Sequence, residues 1–174
     1  MLWNKHILTR IWINDAMRLI TQLFLLVFLV GCSNAPLSVS IRDFDVDFAA
    51  VQTNKITFVK QGFERPPVNL SRVELEGNLT YKTGVSFSFY ATDTEPCSTQ
   101  SNGVYLCDPG SSFEQIGTAS FQSSPTQALR LSGNRLTSGI NSGNLWIGVK
   151  LENGLATAGT LQFRNMVAKV ALVP

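Results

Sequence analysis

The strongest constraint on the fold is an alternation of apolar and polar residues with a period of two. Val73, Leu75, Leu79 and Tyr81 share one parity, and Glu74, Glu76, Asn78, Thr80 and Lys82 share the other. Successive side chains of a strand point to opposite faces, so this pattern predicts a strand with one buried face. After Thr83-Gly84, the residues Val85, Phe87, Phe89 and Ala91 resume the apolar parity, opposite Ser86, Ser88 and Tyr90. That arrangement reads as a hairpin. Leu145, Ile147, Val149 and Leu151 repeat the pattern, and Asn153-Gly154 behind them is a two-residue hairpin signal.

Weaker signals fill the rest of the chain. Leu37, Val39 and Ile41 alternate, then Phe44, Val46 and Phe48 do so with the opposite parity. The flip predicts a bulge or a bend that changes sheets. The last strand, from Thr160 toward Val173, flips in the same way, and a bulge near Arg164-Asn165 reconciles its halves. Ile56 and Phe58, Gln115–Phe121 and Gln127–Leu131 supply further short strands. Thr92–Asp108 reads as a loop. Ser98–Val104 and Ser132–Asn144 read as exposed polar segments, with one helical turn allowed at Arg135–Ile140. About eight or nine short strands with frequent turns predict an all-β fold. The expected architecture is a single antiparallel β-sandwich, jelly-roll or immunoglobulin-like, over residues 37–174.

Cys97 and Cys107 lie ten residues apart. In an exported domain the simplest reading is one disulfide. Closing a loop of that size constrains the unfolded chain by roughly 3 kcal/mol.

Export itself is written at the start. The apolar stretch from Leu19 to Val30 follows Arg18 and is interrupted only by Thr21 and Gln22. It is too short for the ~20 residues of a membrane-spanning helix but fits the apolar region of a secretory signal. It closes on Leu29-Val30-Gly31-Cys32 and then Ser33-Asn34-Ala35-Pro36. Residues 17–32 resemble the type II signal peptide of bacterial lipoprotein precursors, with that tetrapeptide as the lipobox. The resemblance implies cleavage after Gly31 and acylation of Cys32. Met17 then reads as the biological start, residues 1–16 as an upstream extension and 32–36 as a lipidated tether. One acyl chain holds a protein reversibly, and two or more hold it stably. Ser33 is not the Asp that marks inner-membrane retention in many enterobacterial lipoproteins, which favours an outer membrane.

Removing residues 1–31 takes away Lys5, Arg10, Arg18 and Asp15 and leaves eleven charges of each sign. A formally neutral body has no electrostatic footprint for nucleic acid and no polybasic patch for anionic lipid. His6 is the chain's one histidine and leaves with the leader, so the mature part has no histidine triad or histidine metal site. It also has no G-x-S-x-G, S-x-x-K, CxxC or phosphate loop. No catalytic residue is assigned, and the chain is expected not to be an enzyme.

Two clusters remain as binding candidates. Asp43, Asp45 and Asp47 alternate along one strand, with neighbouring carboxylates about 6.6–7 Å apart. They read as a solvated acidic face, as part of a calcium site, or as partners of Arg42, Arg164 or Lys169. Trp146 and Tyr90 each stand opposite their strand's apolar set. Trp146 could pack across Gly148, or the pair could form an exposed platform for a glycan or a protein. The expectation is a non-enzymatic, lipid-anchored envelope protein with a structural, accessory or binding role. Its partners would be the membrane, through Cys32, and an envelope or surface protein. The rivals are a lipid-anchored carbohydrate-binding module and a calcium-stabilised adhesion domain.

Overall fold

The computed structural model describes residues 37–48, 54–62, 64–98, 100–101, 103–155 and 158–172. They form eleven strands and one helix in two antiparallel sheets packed as a sandwich. In chain order these are β1 (Leu37–Ser40), β2 (Phe44–Phe48), β3 (Ile56–Gln61), β4 (Leu70–Thr80), β5 (Ser86–Thr92), β6 (Gln100–Ser101) and β7 (Val104–Cys107). Then come β8 (Glu114–Ser120), β9 (Thr126–Ser132), α1 (Asn134–Ser142), β10 (Leu145–Asn153) and β11 (Gly159–Leu172). The first sheet runs β1-β11-β4-β9, with β2 following β1 along the same edge of β11. The second runs β6-β7-β3-β10-β5-β8.

The alternating patterns locate the strands but not their partners. The expected hairpin across Thr83-Gly84 does not form. β4 pairs with β9 and β11, whereas β5 pairs with β8 and β10 in the other sheet. The chain between them crosses the sandwich. Asn153-Gly154 is likewise a crossing from β10 to β11 rather than a hairpin turn. Period-two alternation assigns a face to each side chain, and both faces of such a crossover satisfy it equally. The two crossings pack on each other. Gly84 and Gly154 both have φ of 87°, and a Cβ on Gly154 would fall 2.2 Å from the Gly84 carbonyl oxygen. Glycine meets both demands, positive φ and close backbone approach.

The main core lies between the sheets. Leu79, Phe87, Phe89, Phe121, Leu129, Leu151, Leu161 and Met166 are all buried in it. Tyr81, Phe87 and Phe121 meet edge to face, with centroids 5.3 to 6.2 Å apart. β8 and β9, the edges of the two sheets on one side, lie against each other.

A second cluster sits on the outer face of the second sheet. Ile56, Phe58, Tyr105, Cys107 and Trp146 are buried there, with Tyr90, Cys97 and Phe113 packed against them. Thr92–Asp108 covers part of this face, and it is not a plain loop. It contains the short strands β6 and β7, with Cys97 bonded to Cys107 across a Cα separation of 5.8 Å.

The polar segment Ser132–Asn144 is also more ordered than its composition suggests. α1 has nine residues, and Leu136 and Gly139 on it are buried. Its first turn has no cap from its own chain segment. Glu114 of β8 accepts the Arg135 N–H at 2.5 Å instead. Gly143, at φ 72°, closes the C-terminus in the left-handed conformation. The helix then takes the place of a strand. β4 runs past the end of β9, and Asn141 bonds Leu70 in both directions: the Leu70 N–H donates to Oδ1 at 2.9 Å, and Nδ2 donates to the Leu70 carbonyl at 2.8 Å. Thr137 accepts the Val73 N–H at 3.1 Å. Among the described residues no helix is long and apolar enough to cross a membrane.

Candidate functional site

The aromatic pair does not form an exposed platform. β5 and β10 are neighbours, with Gly148 opposite Tyr90 and Trp146 opposite Thr92, so the two rings share a face as expected. That face, however, is the one covered by the second cluster. Trp146 is only 7% exposed. The ring lying across Gly148 belongs to Phe58, whose Cε1 would sit 2.5 Å from a Cβ there. Lys60 adds its ammonium 5.1 Å above the indole. Tyr105 donates to Glu95 at 3.1 Å. Burial, reinforced by that carboxylate, pushes the Tyr105 phenol up from its usual range. The group is a packed cover held by a disulfide, and a glycan has no ring face of Trp146 to stack on.

The carboxylates of Asp43, Asp45 and Asp47 are not gathered into one cluster. Each carboxylate is engaged by β11. Asp43 Oδ1 accepts the Asn165 N–H at 2.8 Å, Asp45 pairs with Arg164 at 2.6 Å, and Asp47 accepts the Thr160 hydroxyl at 2.5 Å. Arg164 is held above its ordinary range, first by its hydrogen bond to Asp45. Among the described residues no group of three histidine, cysteine or acidic side chains comes together to hold a metal. The pairing alternative is the one realised, with Arg164. Arg42 and Lys169 take no part in it, since Lys169 bonds Glu76 at 2.5 Å.

Two polar groups escaped the sequence. On the outer face of the first sheet, Glu74 is 6% exposed between Arg72 at 3.2 Å and a close contact with Arg130. Glu76 beside it is lowered mainly by the hydrogen bond from Lys169, against a smaller opposing effect of burial. The second group ties α1 to β5. Asp93 accepts from Arg135 and from the Ser138 hydroxyl, each at 2.7 Å. Its carboxyl is lowered, first by the Ser138 bond. The pairing of Leu136 with Ile140, four apart and followed by Gly143, was the available signal for this helix.

Apolar side chains are left uncovered along one edge of the first sheet. β1 and β2 form an edge of the first sheet, and their apolar side chains stay exposed: Leu37, Val39, Phe44 and Val46. Leu37 pairs with Val170 and Val39 with Ala168, so these side chains belong to the core-facing side but lie beyond the reach of the second sheet. Phe44 stacks on Phe163 with centroids 4.5 Å apart. Cys32 and the lipobox lie outside the described residues. No protein-family model, curated protein or solved structure matches the chain.

Proposed function

We propose that this chain is a lipid-anchored envelope protein without catalytic function, held by acyl chains on Cys32 and acting through contacts of its sandwich with an envelope or surface protein. One observation carries the reading: β1 begins at Leu37, five residues past the lipobox cysteine, and it is an edge strand with apolar side chains left uncovered. The body thus hangs from an exposed sheet edge by a tether of only Ser33 to Pro36. At ~3.5 Å per extended residue, Leu37 stays within about 20 Å of the acylated sulfur. Uncovered strand edges invite pairing with another chain, and a partner in the same envelope meets this edge at high effective concentration. Ser33 favours the outer membrane as the address.

The test is acyl labelling of the full chain in a bacterial host. Wild type takes up labelled fatty acid and fractionates with membranes. Cys32→Ser takes up none and accumulates as an uncleaved precursor or a soluble form. Label retained by Cys32→Ser, or a mature product whose sulfur is bare, overturns the proposal.

A further inference from the structure

We infer that one end of the sandwich, marked by Leu37, Val68 and Leu172, rests on the lipid surface beside the anchor. The inference builds on the lipoprotein reading above. The tether reaches the body at Leu37, the first residue of β1. β1 runs antiparallel to β11 with Leu37 opposite Val170, so the start of β1 and the end of β11 lie at the same end of the sheet. Leu172 pairs with Leu70, which places the start of β4, and Val68 just before it, at that end too. Three apolar side chains therefore gather where the chain leaves for the membrane. Leu37 is 54% exposed, Val68 53% and Leu172 43%.

Beside Val68 and Leu172 the backbone of Leu70 and the Leu172 carbonyl have side-chain partners, which suits an interface poor in free water. Asn141 holds both polar groups of Leu70, and the Ser71 hydroxyl donates to the Leu172 carbonyl. The charges near these residues are mixed: Glu64 and Arg65 precede Val68, and Arg72 follows Leu70. The contact is accordingly apolar, and it is expected to be indifferent to anionic lipid and to salt. The opposite end of the sandwich, where Gly84 and Gly154 pack together, points away from the bilayer.

The experiment adds one tryptophan to the full, processed, acylated protein in phosphatidylcholine vesicles, with brominated phosphatidylcholine as quencher. Val68→Trp reports the anchored end. Ser123→Trp reports the far end, beside Phe121, which bonds Val85 there. Mass spectrometry of the Cys32 peptide establishes acylation in each sample, and matching near-ultraviolet spectra establish the fold. The emission added by Val68→Trp should fall by about half, as for a side chain lying at the headgroup boundary, while that added by Ser123→Trp is unchanged. If the acylated protein is unquenched at 68, or equally quenched at 68 and 123, the orientation is wrong and the end face is left to a protein partner. The lipoprotein reading survives that result. A bare Cys32 overturns both together.

Discussion

Asp43, in the link between β1 and β2 rather than on a strand with Asp45 and Asp47, accepts the backbone N–H of Asn165 at 2.8 Å, at the point where β11 loses register with β4. Asn165 has φ of 53°, the left-handed region that asparagine tolerates better than most residues. Between the Arg164–Asn78 and Val167–Glu76 pairs, β11 has two residues where β4 has only Gly77. That is a bulge, and Gly77 accommodates it, because a Cβ there would fall 2.3 Å from the Met166 sulfur. On the other side of β11 the same irregularity separates β1 from β2, where the Ile41 N–H bonds the Met166 carbonyl. The two parity flips in the sequence are therefore one structural event. β1 and β2 stay in the same sheet, and nothing switches sheets there.

Position 165 should tolerate glycine and reject a β-branched residue. Asn165→Val forces a bulky side chain into positive φ and should cost about 1–3 kcal/mol. Asn165→Gly should lie within about 1 kcal/mol of wild type. Urea unfolding of the three proteins decides the point, and equal midpoints for valine and asparagine would contradict it.

Trp146 is predicted to act through stability alone. Its truncation to alanine empties the second cluster and should cost about 3–5 kcal/mol. Gly148→Ala should also destabilise, by about 1–3 kcal/mol, because the new methyl meets the Phe58 ring. Thermal melts read both effects. A Trp146→Ala protein as stable as wild type would show that the cover over this face carries no packing energy.

What the sequence makes legible follows from the range of each signal. Alternation is local, so the strands at Val73–Tyr81, Val85–Ala91 and Leu145–Leu151 are visible, as is the bulge at Arg164-Asn165. Pairing is not local. The same alternation serves a hairpin and a crossing, and Gly84 and Gly154 look like turn residues in either case. The Cys97–Cys107 bond is legible from spacing, but the strands it holds are not, since Gln100–Ser101 and Val104–Cys107 are too short to show a period. Trp146 could be read as packed or as free because alternation implies a core on only one side of a sheet; here part of the second sheet's outer face is covered as well. The acidic pattern at Asp43, Asp45 and Asp47 shows that carboxylates share a face, and only the neighbouring strand shows that Asn165, Arg164 and Thr160 meet them.

Acid should loosen the helix dock. Asp93 is lowered in the folded protein, chiefly by Ser138, so the unfolded chain binds its proton more readily. Its contribution is therefore present above the ordinary aspartate range, about pH 4, and is lost as pH falls through the lower folded value. Asp93→Asn should reduce stability at neutral pH and flatten the fall below about pH 4. Stability curves measured at several pH values test this, and an undiminished acid slope in the variant would exclude Asp93 as its source.

Asn141 should matter more than its surface position suggests. It completes the backbone of Leu70 where β9 has ended, so its removal leaves a donor and an acceptor without partners. Asn141→Ala should cost about 1–3 kcal/mol, and hydrogen exchange at Leu70 and Val73 should quicken before the rest of β4. Asn141→Gln, with one more methylene, should recover little, because the two bonds require the amide at a fixed distance from the strand. If Leu70 exchanges no faster in the alanine variant, the helix is not acting in place of a strand there, and β4 keeps that edge closed by other means.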